Sequence, residues 1–359
     1  GIIGGSGRAS SGFYRGVAPE VQFVDLKVVG DDGSGRTSSL IRAIDWLLEN
    51  KDRHGVQVAS VSLGHPAIDS YRNDPLGQAV ARLTAVGIAT VVSAGNLGRT
   101  SDGMKIWGGI SSPGNHPAVI TVSAVNTEDS LNHEDFVATT YASRGPTFED
   151  NLFKPDLTAP GNKIPAALAG ESSFFTGRSD RHLPGSDYIF LSGSSVATAF
   201  VAGAAAQMLD ANPRISANMT KFILLYTAIK LTQPHVLEQG NGLVNTRTAT
   251  EFAAAIDVDS RSLIRTPASS WTLDGRQVWA GGAIASGDFV FYGPLVAGGL
   301  TGDSEINAGP VLLLWGDSIL WSDSILWSDS ILWSDSILWS DSILWSDSIL
   351  WSDSILWSD

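Results

Sequence analysis

The sequence predicts an α/β fold with a doubly wound, mostly parallel sheet and helices on both faces. Segments with strand and helix patterns alternate along residues 21–124 and are joined by short connections. This order is typical of parallel sheets with right-handed crossovers. The predicted strands are continuous apolar runs, which indicates a sheet that is covered on both faces.

The first half of the chain supplies most of the predicted elements. Residues 21–29 are rich in β-forming residues and end at a Gly-Asp-Asp-Gly turn, so we expect a strand there. Thr37 is expected to cap a helix whose inward face carries Leu40, Ile41, Ile44, Leu47 and Leu48. We then expect a strand over 56–63, a helix over 75–86 with Leu76, Val80 and Leu83 inward, and strands over 88–92 and 118–124.

The second half is richer in loops. We expect loops over most of 125–190, with a surface excursion over 162–188 that precedes a strand over 188–191. Helices are predicted over 195–209, 217–228 and 247–256. Residues 257–310 are rich in Gly, Ser and Ala, and are predicted to form a linker or a small β-rich appendage.

Composition excludes several function classes. The 359-residue chain has a net charge of −14, but eight of its aspartates lie in the final repeats, from Asp317 to Asp359. The remaining net charge of −6 argues against nucleic acid as a partner. The absence of cysteine excludes disulfides and thiolate chemistry. No apolar run reaches the roughly 18 residues of a membrane span.

The stretch from Leu191 to Gly203 is the first candidate for chemistry. Gly193-Ser-Ser-Val-Ala197 leads into an apolar run that is long enough for a buried helix. Ser195 would then lie where free N–H groups and the helix dipole favour developing negative charge. On this stretch alone an ordinary helix cap is the favoured interpretation, because serine is a leading N-cap residue. Two more candidates, Ser62-Leu63-Gly64 and Ala94-Gly95-Asn96, follow predicted strands, where open α/β sheets place their sites.

Several segments, taken in order, resemble the subtilisin-like serine proteases. The nucleophile motif of that family is similar to Gly193-Ser194-Ser195-Val196-Ala197, and Ser93-Ala94-Gly95-Asn96 resembles its oxyanion segment. Ser62-Leu63-Gly64 is similar to the family's substrate-pairing strand. Further landmarks in family order are Val17-Ala-Pro-Glu20, Ser111-Ser-Pro-Gly114, Lys154-Pro-Asp156, Ala159-Pro-Gly161 and Gly242-Leu-Val-Asn245. The resemblance covers roughly residues 1–256.

The resemblance implies a serine endopeptidase that acts on polypeptides through an acyl-enzyme. It assigns Ser195 as nucleophile, Asn96 as oxyanion donor, and Ser62, Leu63, Gly64, Ala94 and Gly95 as substrate-binding residues. The non-functional alternatives are that Asn96 is an ordinary loop residue and that Ser62-Leu63-Gly64 is an ordinary strand end. Asp156 fits a structural turn better than a catalytic carboxylate. The resemblance also implies an extracellular protein. Calcium is frequent in the family, but no aspartate cluster here has calcium-loop spacing, so no cofactor or metal is assigned.

The family's catalytic histidine and aspartate are not found among these motifs. The family order is Asp, His, Ser, and Gly1-Ile-Ile-Gly-Gly5 resembles the segment directly after the histidine. None of the six histidines, His54, His65, His116, His133, His182 and His235, has the required context. We therefore interpret the chain as a fragment of a longer peptidase and expect it to be essentially inactive alone. The competing interpretation is a non-enzymatic pseudoprotease scaffold or surface module that displays the repeats.

The chain is expected to contain a truncated peptidase domain over 1–256, the linker or appendage over 257–310, and a repeat over 311–359. The repeated unit is Trp-Ser-Asp-Ser-Ile-Leu. An even period keeps the same side chains on one face of an extended chain, which favours stacked short strands and self-association through the tail. A low-complexity tract without a selected role is the equal alternative.

Overall fold

A computed structural model describes residues 1–31, 33–169, 181–183 and 186–256, together with the backbone of five short strands between 263 and 291. The chain divides into two compact units. The first comprises Gly1–Pro213 and Thr220–Ala254, and the second comprises Arg214–Met219 and Ala255–Asp359. The predicted repeat over 311–359 lies outside the described residues.

The first unit is built on a five-stranded sheet. Its strands are β1 (Val58–Val61), β2 (Ala89–Ser93), β3 (Ile120–Asn126), β4 (Val137–Ala138) and β5 (Leu157–Pro160). β1, β2, β3 and β5 are parallel neighbours in that order, and β4 pairs antiparallel with the end of β3. A separate antiparallel pair is formed by β6 (Ile164–Ala167) and β7 (Tyr188–Leu191). The predicted α/β fold with a mostly parallel sheet is confirmed.

Helices connect and cover these strands. They are α1 (Thr37–His54), α2 (Pro75–Ala85), α3 (Ser194–Ala211), α4 (Ala217–Tyr226), α5 (Val236–Gln239) and α6 (Thr246–Ala255), with 3₁₀ turns at Arg8–Ser10 and His133–Asp135. The predicted helices are therefore confirmed with small shifts at their ends. Arg36 rather than Thr37 is the residue before the first turn of α1.

The core lies between the sheet and its helices. One cluster joins Ile44 and Leu47 of α1, Leu76, Val80 and Leu83 of α2, and Val61 of β1. Val92 of β2 belongs to this cluster, whereas Val91, which points to the opposite face, is equally buried. Both faces of β2 are therefore covered. α3 contacts β1, β2, β3 and β5, and its first turn reaches Ser62 and Asn96, which follow β1 and β2.

The predicted strand over 21–29 is wrong. Residues 22–28 have no ladder partner in the described part of the chain, although the segment ends in a single bridge from Val29 to Gly35. Leu26 packs against the core cluster, but Phe23 is 60% exposed. Strand propensity reflects packing against a neighbouring strand, and no such neighbour pairs with this segment.

Two further expectations need correction. The excursion over 162–188 contains a strand of its own, β6, which pairs with β7. The stretch Leu157–Pro160, predicted as loop, forms β5 and pairs with β3.

The described backbone of the second unit is antiparallel. β9 (Ser270–Leu273) pairs with β10 (Arg276–Trp279), and β11 (Gly282–Ala285) pairs with β8 (Leu263–Ile264) and β12 (Asp288–Phe291). The predicted domain boundary at residue 256 stays a prediction.

Candidate active site

Ser195 lies in the first turn of α3. Gly193 precedes the helix and provides no side-chain cap, so the N–H groups of this turn are left for other partners. Ser195 is half-buried, and its Oγ lies 3.4 Å from the carbonyl oxygen of Ser62. The contact is reciprocal, since Ser62 Oγ lies 3.3 Å from the Ser195 carbonyl oxygen. These two predicted site residues are therefore neighbours, although they are distant in sequence.

Two hydrogen-bond donors converge beside Gly193. A β-carbon placed on this glycine would lie 3.6 Å from Asn96 Nδ2 and 3.7 Å from the Ser195 backbone nitrogen. Both nitrogens thus lie within 4 Å of one point beside Gly193. Gly193 has φ 154° and ψ 158°, a conformation that is essentially restricted to glycine. A side chain there would be strained and would stand in front of both donors.

The Asn96 amide is held in one orientation. The backbone N–H and the hydroxyl of Ser194 both donate to Asn96 Oδ1, at 3.0 and 3.1 Å. Because Oδ1 accepts these two bonds, the amide must present Nδ2 as its free end. Asn96 is exposed, so this N–H₂ group is open to a ligand.

The predicted substrate-binding residues fall into two groups. Leu63 and Gly64 lie after β1, beyond Ser62, and are exposed, and their backbone groups have no backbone partner among the described residues. Ala94 is fully buried, and its backbone groups are taken by Val122 and Ser111 at 2.9 Å each. Ala94 therefore supports the site without offering a polar group to a ligand, whereas Leu63 and Gly64 present a free edge.

Ser195 has no base within hydrogen-bonding distance in the described part of the chain. His116, the histidine within a family landmark, is 4% exposed, accepts a bond from the Ala118 N–H and packs edge-on against Tyr71. Burial, followed by the positive charges of Lys154 and Lys221, lowers the pKa of His116 to about 4. His65 lies next to Asp74, with 3.9 Å between Nε2 and Oδ1. Neither histidine contacts Ser195 Oγ.

Asp156 belongs to a buried charge cluster rather than to the site. Its Oδ2 accepts a 2.6 Å bond from Lys154, and its Oδ1 lies 3.3 Å from Lys221 Nζ. All three side chains are at most 5% exposed. Burial alone would raise the pKa of Asp156, but the two ammonium groups outweigh it and hold this pKa below its usual range. The geometry agrees with the predicted structural role.

The described residues include no group of three or more potential metal ligands. Nor does any described helix combine the length and the apolar character that a membrane span requires.

The described contacts also identify residues whose part in the site the motifs did not reveal. Ser143 and Arg144 lie in a segment predicted only as loop, yet both are buried: Ser143 binds the backbone on either side of Asn96, and Arg144 binds the Gly98 carbonyl. The sequence signal for these two residues is their place between Ala142 and Gly145-Pro146. Glu238, the partner of Arg144, had none.

Comparison with known proteins gives a consistent result. Residues 1–244 match the family described as the Subtilase family. The chain is 34% identical over 250 residues to Serine protease AprX of Bacillus subtilis (strain 168), which covers 68% of the chain and 55% of that protein. It is 32% identical over 235 residues to Subtilisin BL of Lederbergia lenta, covering 66% of the chain and 70% of that protein. The chain thus spans little more than half of the first of these relatives.

Solved structures show the same fold. Sphericase superposes with a TM-score of 0.54 at 23% identity, covering 68% of this chain and 75% of that one. The self-cleaved protease domain of PatA superposes with a TM-score of 0.51 at 23% identity, covering 70% of this chain and 80% of that one.

Proposed function

Because the chain belongs to the subtilase family, we propose that it carries the nucleophile and the oxyanion site of a serine endopeptidase. One observation supports this assignment most strongly: Asn96 Nδ2 and the Ser195 backbone nitrogen both lie within 4 Å of one point beside Gly193, the residue before the first turn of α3. Acyl transfer needs donors at the position that the oxyanion will occupy. If Ser195 were only part of a helix cap, the exposed Asn96 side-chain amide would not need to be held in a fixed orientation beside it.

In the proposed reaction, an extended polypeptide pairs with the free edge at Leu63 and Gly64. Ser195 Oγ attacks the scissile carbonyl carbon, its proton passes to a base, and the carbonyl oxygen becomes an oxyanion. The Asn96 Nδ2 and Ser195 N–H groups donate to this oxyanion. As the tetrahedral intermediate collapses, the base gives the proton to the departing nitrogen, the peptide bond breaks and the amine is released. This leaves an acyl-enzyme on Ser195, which water then hydrolyses.

The proton transfer limits what the described residues can do. An unassisted serine hydroxyl is a weak nucleophile, and loss of the histidine in subtilisin, a worked case for this chemistry, costs about 10⁶-fold in turnover. Residual catalysis of about 10³–10⁴-fold over water remains in that case from the oxyanion hole and binding. We therefore expect the 359-residue chain alone to hydrolyse peptides at a very low rate.

Hydrolysis of a peptide p-nitrophenyl ester by the full chain tests this proposal, because an activated leaving group makes weak turnover measurable. We expect slow hydrolysis that Ser195→Ala abolishes and Asn96→Ala lowers at least tenfold. Ser11→Ala is the matched control. Ser11 is the residue that follows the 3₁₀ turn Arg8–Ser10, and its change should leave the rate unchanged. Equal rates for the chain and for Asn96→Ala would refute the oxyanion assignment. Hydrolysis of an unactivated peptide at the rate of a complete subtilisin would refute the expected inactivity.

A binding scaffold is the second candidate function, and the lack of a described base beside Ser195 favours it. The same assay separates the two, because a scaffold binds the peptide ester without any turnover that depends on Ser195. We place the protein outside the cell on family resemblance, with polypeptides as its substrates. Self-association through the 311–359 repeat remains part of the proposal, and sedimentation of the full chain over a range of concentrations tests it.

A further inference from the structure

Ser143 binds both peptide groups that flank Asn96. Its backbone N–H donates to the Gly95 carbonyl at 2.9 Å, and its Oγ accepts from the Leu97 N–H at 3.0 Å. The Gly95 carbonyl belongs to the peptide before Asn96, and the Leu97 N–H belongs to the peptide after it. Since Ser143 is fully buried, these bonds do not compete with water. The backbone of Asn96 is thereby fixed on both sides.

Gly95 allows this close approach. It has φ 102°, and a β-carbon placed on it would lie 2.8 Å from Ser143 Oγ and closer still to Ser111 Oγ. Such a carbon would displace the hydroxyl that accepts from Leu97. The bond from the Leu97 N–H to Ser143 therefore requires glycine at position 95.

Arg144 holds the Gly98 carbonyl, farther along the same loop. Its Nη1 donates to the Gly98 carbonyl, and its Nη2 donates to the Thr139 carbonyl at 3.3 Å. Its Nε donates to Glu238 Oε1 at 2.6 Å, and both side chains are at most 7% exposed. Burial alone would raise the pKa of Glu238, but the Arg144 bond, the His235 N–H and Lys105 hold it below its usual range. The guanidinium fork is therefore fixed by a charged partner.

We propose that Ser143 and Arg144 are positioning residues that fix the loop 95–98 so that Asn96 Nδ2 points at the oxyanion. This inference rests on the proposed function. Neither residue needs to contact the substrate, because Ser143 acts through the peptides on either side of Asn96 and Arg144 acts through the Gly98 carbonyl beyond it. A misplacement of about 1 Å in such a group costs up to about 10²-fold in rate. The bonds thus control turnover rather than substrate binding.

A spectroscopic measurement tests the geometry independently of activity. In ¹⁵N–¹H spectra of the full chain, the Asn96 side-chain amide is identified by its loss in Asn96→Ala. We expect this signal to shift in Ser143→Ala and to stay in place in Ser123→Ala, a matched change at a serine of β3 that is 1% exposed. An unmoved signal in a folded Ser143→Ala variant would overturn the proposal.

Kinetics with the peptide p-nitrophenyl ester provide the second test. Ser143→Ala is expected to lower kcat about five- to fiftyfold with KM unchanged, within the range for a displaced catalytic group. Combined with Asn96→Ala, it should lower kcat no further, because the group that it positions is gone. Additive losses would contradict a positioning role. Arg144→Lys keeps the positive charge but loses the planar guanidinium, and it should also lower kcat. This variant provides the test if Ser143→Ala does not fold.

The two proposals fail in different ways. If Asn96→Ala leaves the rate unchanged, the oxyanion assignment is wrong whatever Ser143 does. If Asn96→Ala lowers the rate and folded Ser143→Ala and Arg144→Lys do not, only the positioning role is wrong.

Discussion

Asp156→Asn should destabilise the protein severely, because it removes the counter-ion of two buried lysines. The carboxylate lies 2.6 Å from Lys154 Nζ and 3.3 Å from Lys221 Nζ, and its Oδ2 also accepts the Thr121 N–H at 2.6 Å. Asparagine has the same shape and can still accept from Thr121. It cannot neutralise either ammonium group, and its own N–H₂ would face one of them.

The size of the effect can be worked out from the geometry. With an effective dielectric constant of about 20, the two attractions are worth about 6 and about 5 kcal/mol. Much of this offsets the cost of burial, which lowers the pKa of Lys154 to about 7 even beside Asp156, so the measured loss is smaller than the sum of the two attractions. Removing one partner of a buried ion pair costs about 3–5 kcal/mol. With a urea slope of about 2–3 kcal/mol/M, the midpoint should fall by about 1–2.5 M.

Urea unfolding at pH 7, followed by far-ultraviolet circular dichroism, measures this loss. Asp45→Asn is the matched control, because Asp45 pairs with Arg82 at 2.7 Å while both side chains are about half exposed. Its loss should stay below about 1 kcal/mol. If Asp156→Asn lowers the free energy of unfolding as little as the control does, the argument that Lys154 and Lys221 depend on a buried counter-ion is refuted.

Two further predictions concern burial. His116 has a pKa of about 4 against 6.5 when unfolded, so the unfolded state binds its proton first and stability falls by about 3 kcal/mol as pH drops from 6.5 to 4. His116→Phe should remove this part of the pH dependence in urea midpoints, and identical slopes for both proteins would contradict it. Leu83→Ala should cost about 2–5 kcal/mol, because Leu83 is 0% exposed in the core cluster. Val86→Ala, at a position 42% exposed, should cost far less, and equal thermal shifts for the two variants would refute that packing argument.

Elements with strong local signals could be predicted from the sequence. α2 is bounded by Asp74, whose side chain caps it, by Pro75 in its first turn and by Gly87 after it, and the predicted helix over 75–86 matches within one residue. β2 and β7 are short apolar runs between turn residues, and their prediction is confirmed as well. In these cases the chain carries its own start and stop signals.

Elements that depend on a distant partner could not be predicted in this way. Residues 21–29 have strand composition, but 22–28 have no ladder partner among the described residues. Ile164–Ala167, by contrast, contains a proline and still forms a strand, because Tyr188–Leu191 pairs with it. The site shows the same division. Ser195, Asn96 and Ser62–Gly64 lie in recognisable motifs, but the bonds of Ser143 and Arg144 to the loop at Asn96 arise only from tertiary contacts.

The segment 22–28, which has no ladder partner in the described part of the chain, has a consequence for handling the protein. It is an extended run beside the core that exposes Phe23 and Val24, and β1 is an edge strand of the described sheet. Unpaired backbone flanked by apolar side chains is a template for pairing with other extended chains. Protein concentration thereby becomes an experimental variable, and any rate measured for this chain should be shown to be independent of it. Phe23→Lys or Val24→Lys would be the simplest change to suppress such pairing.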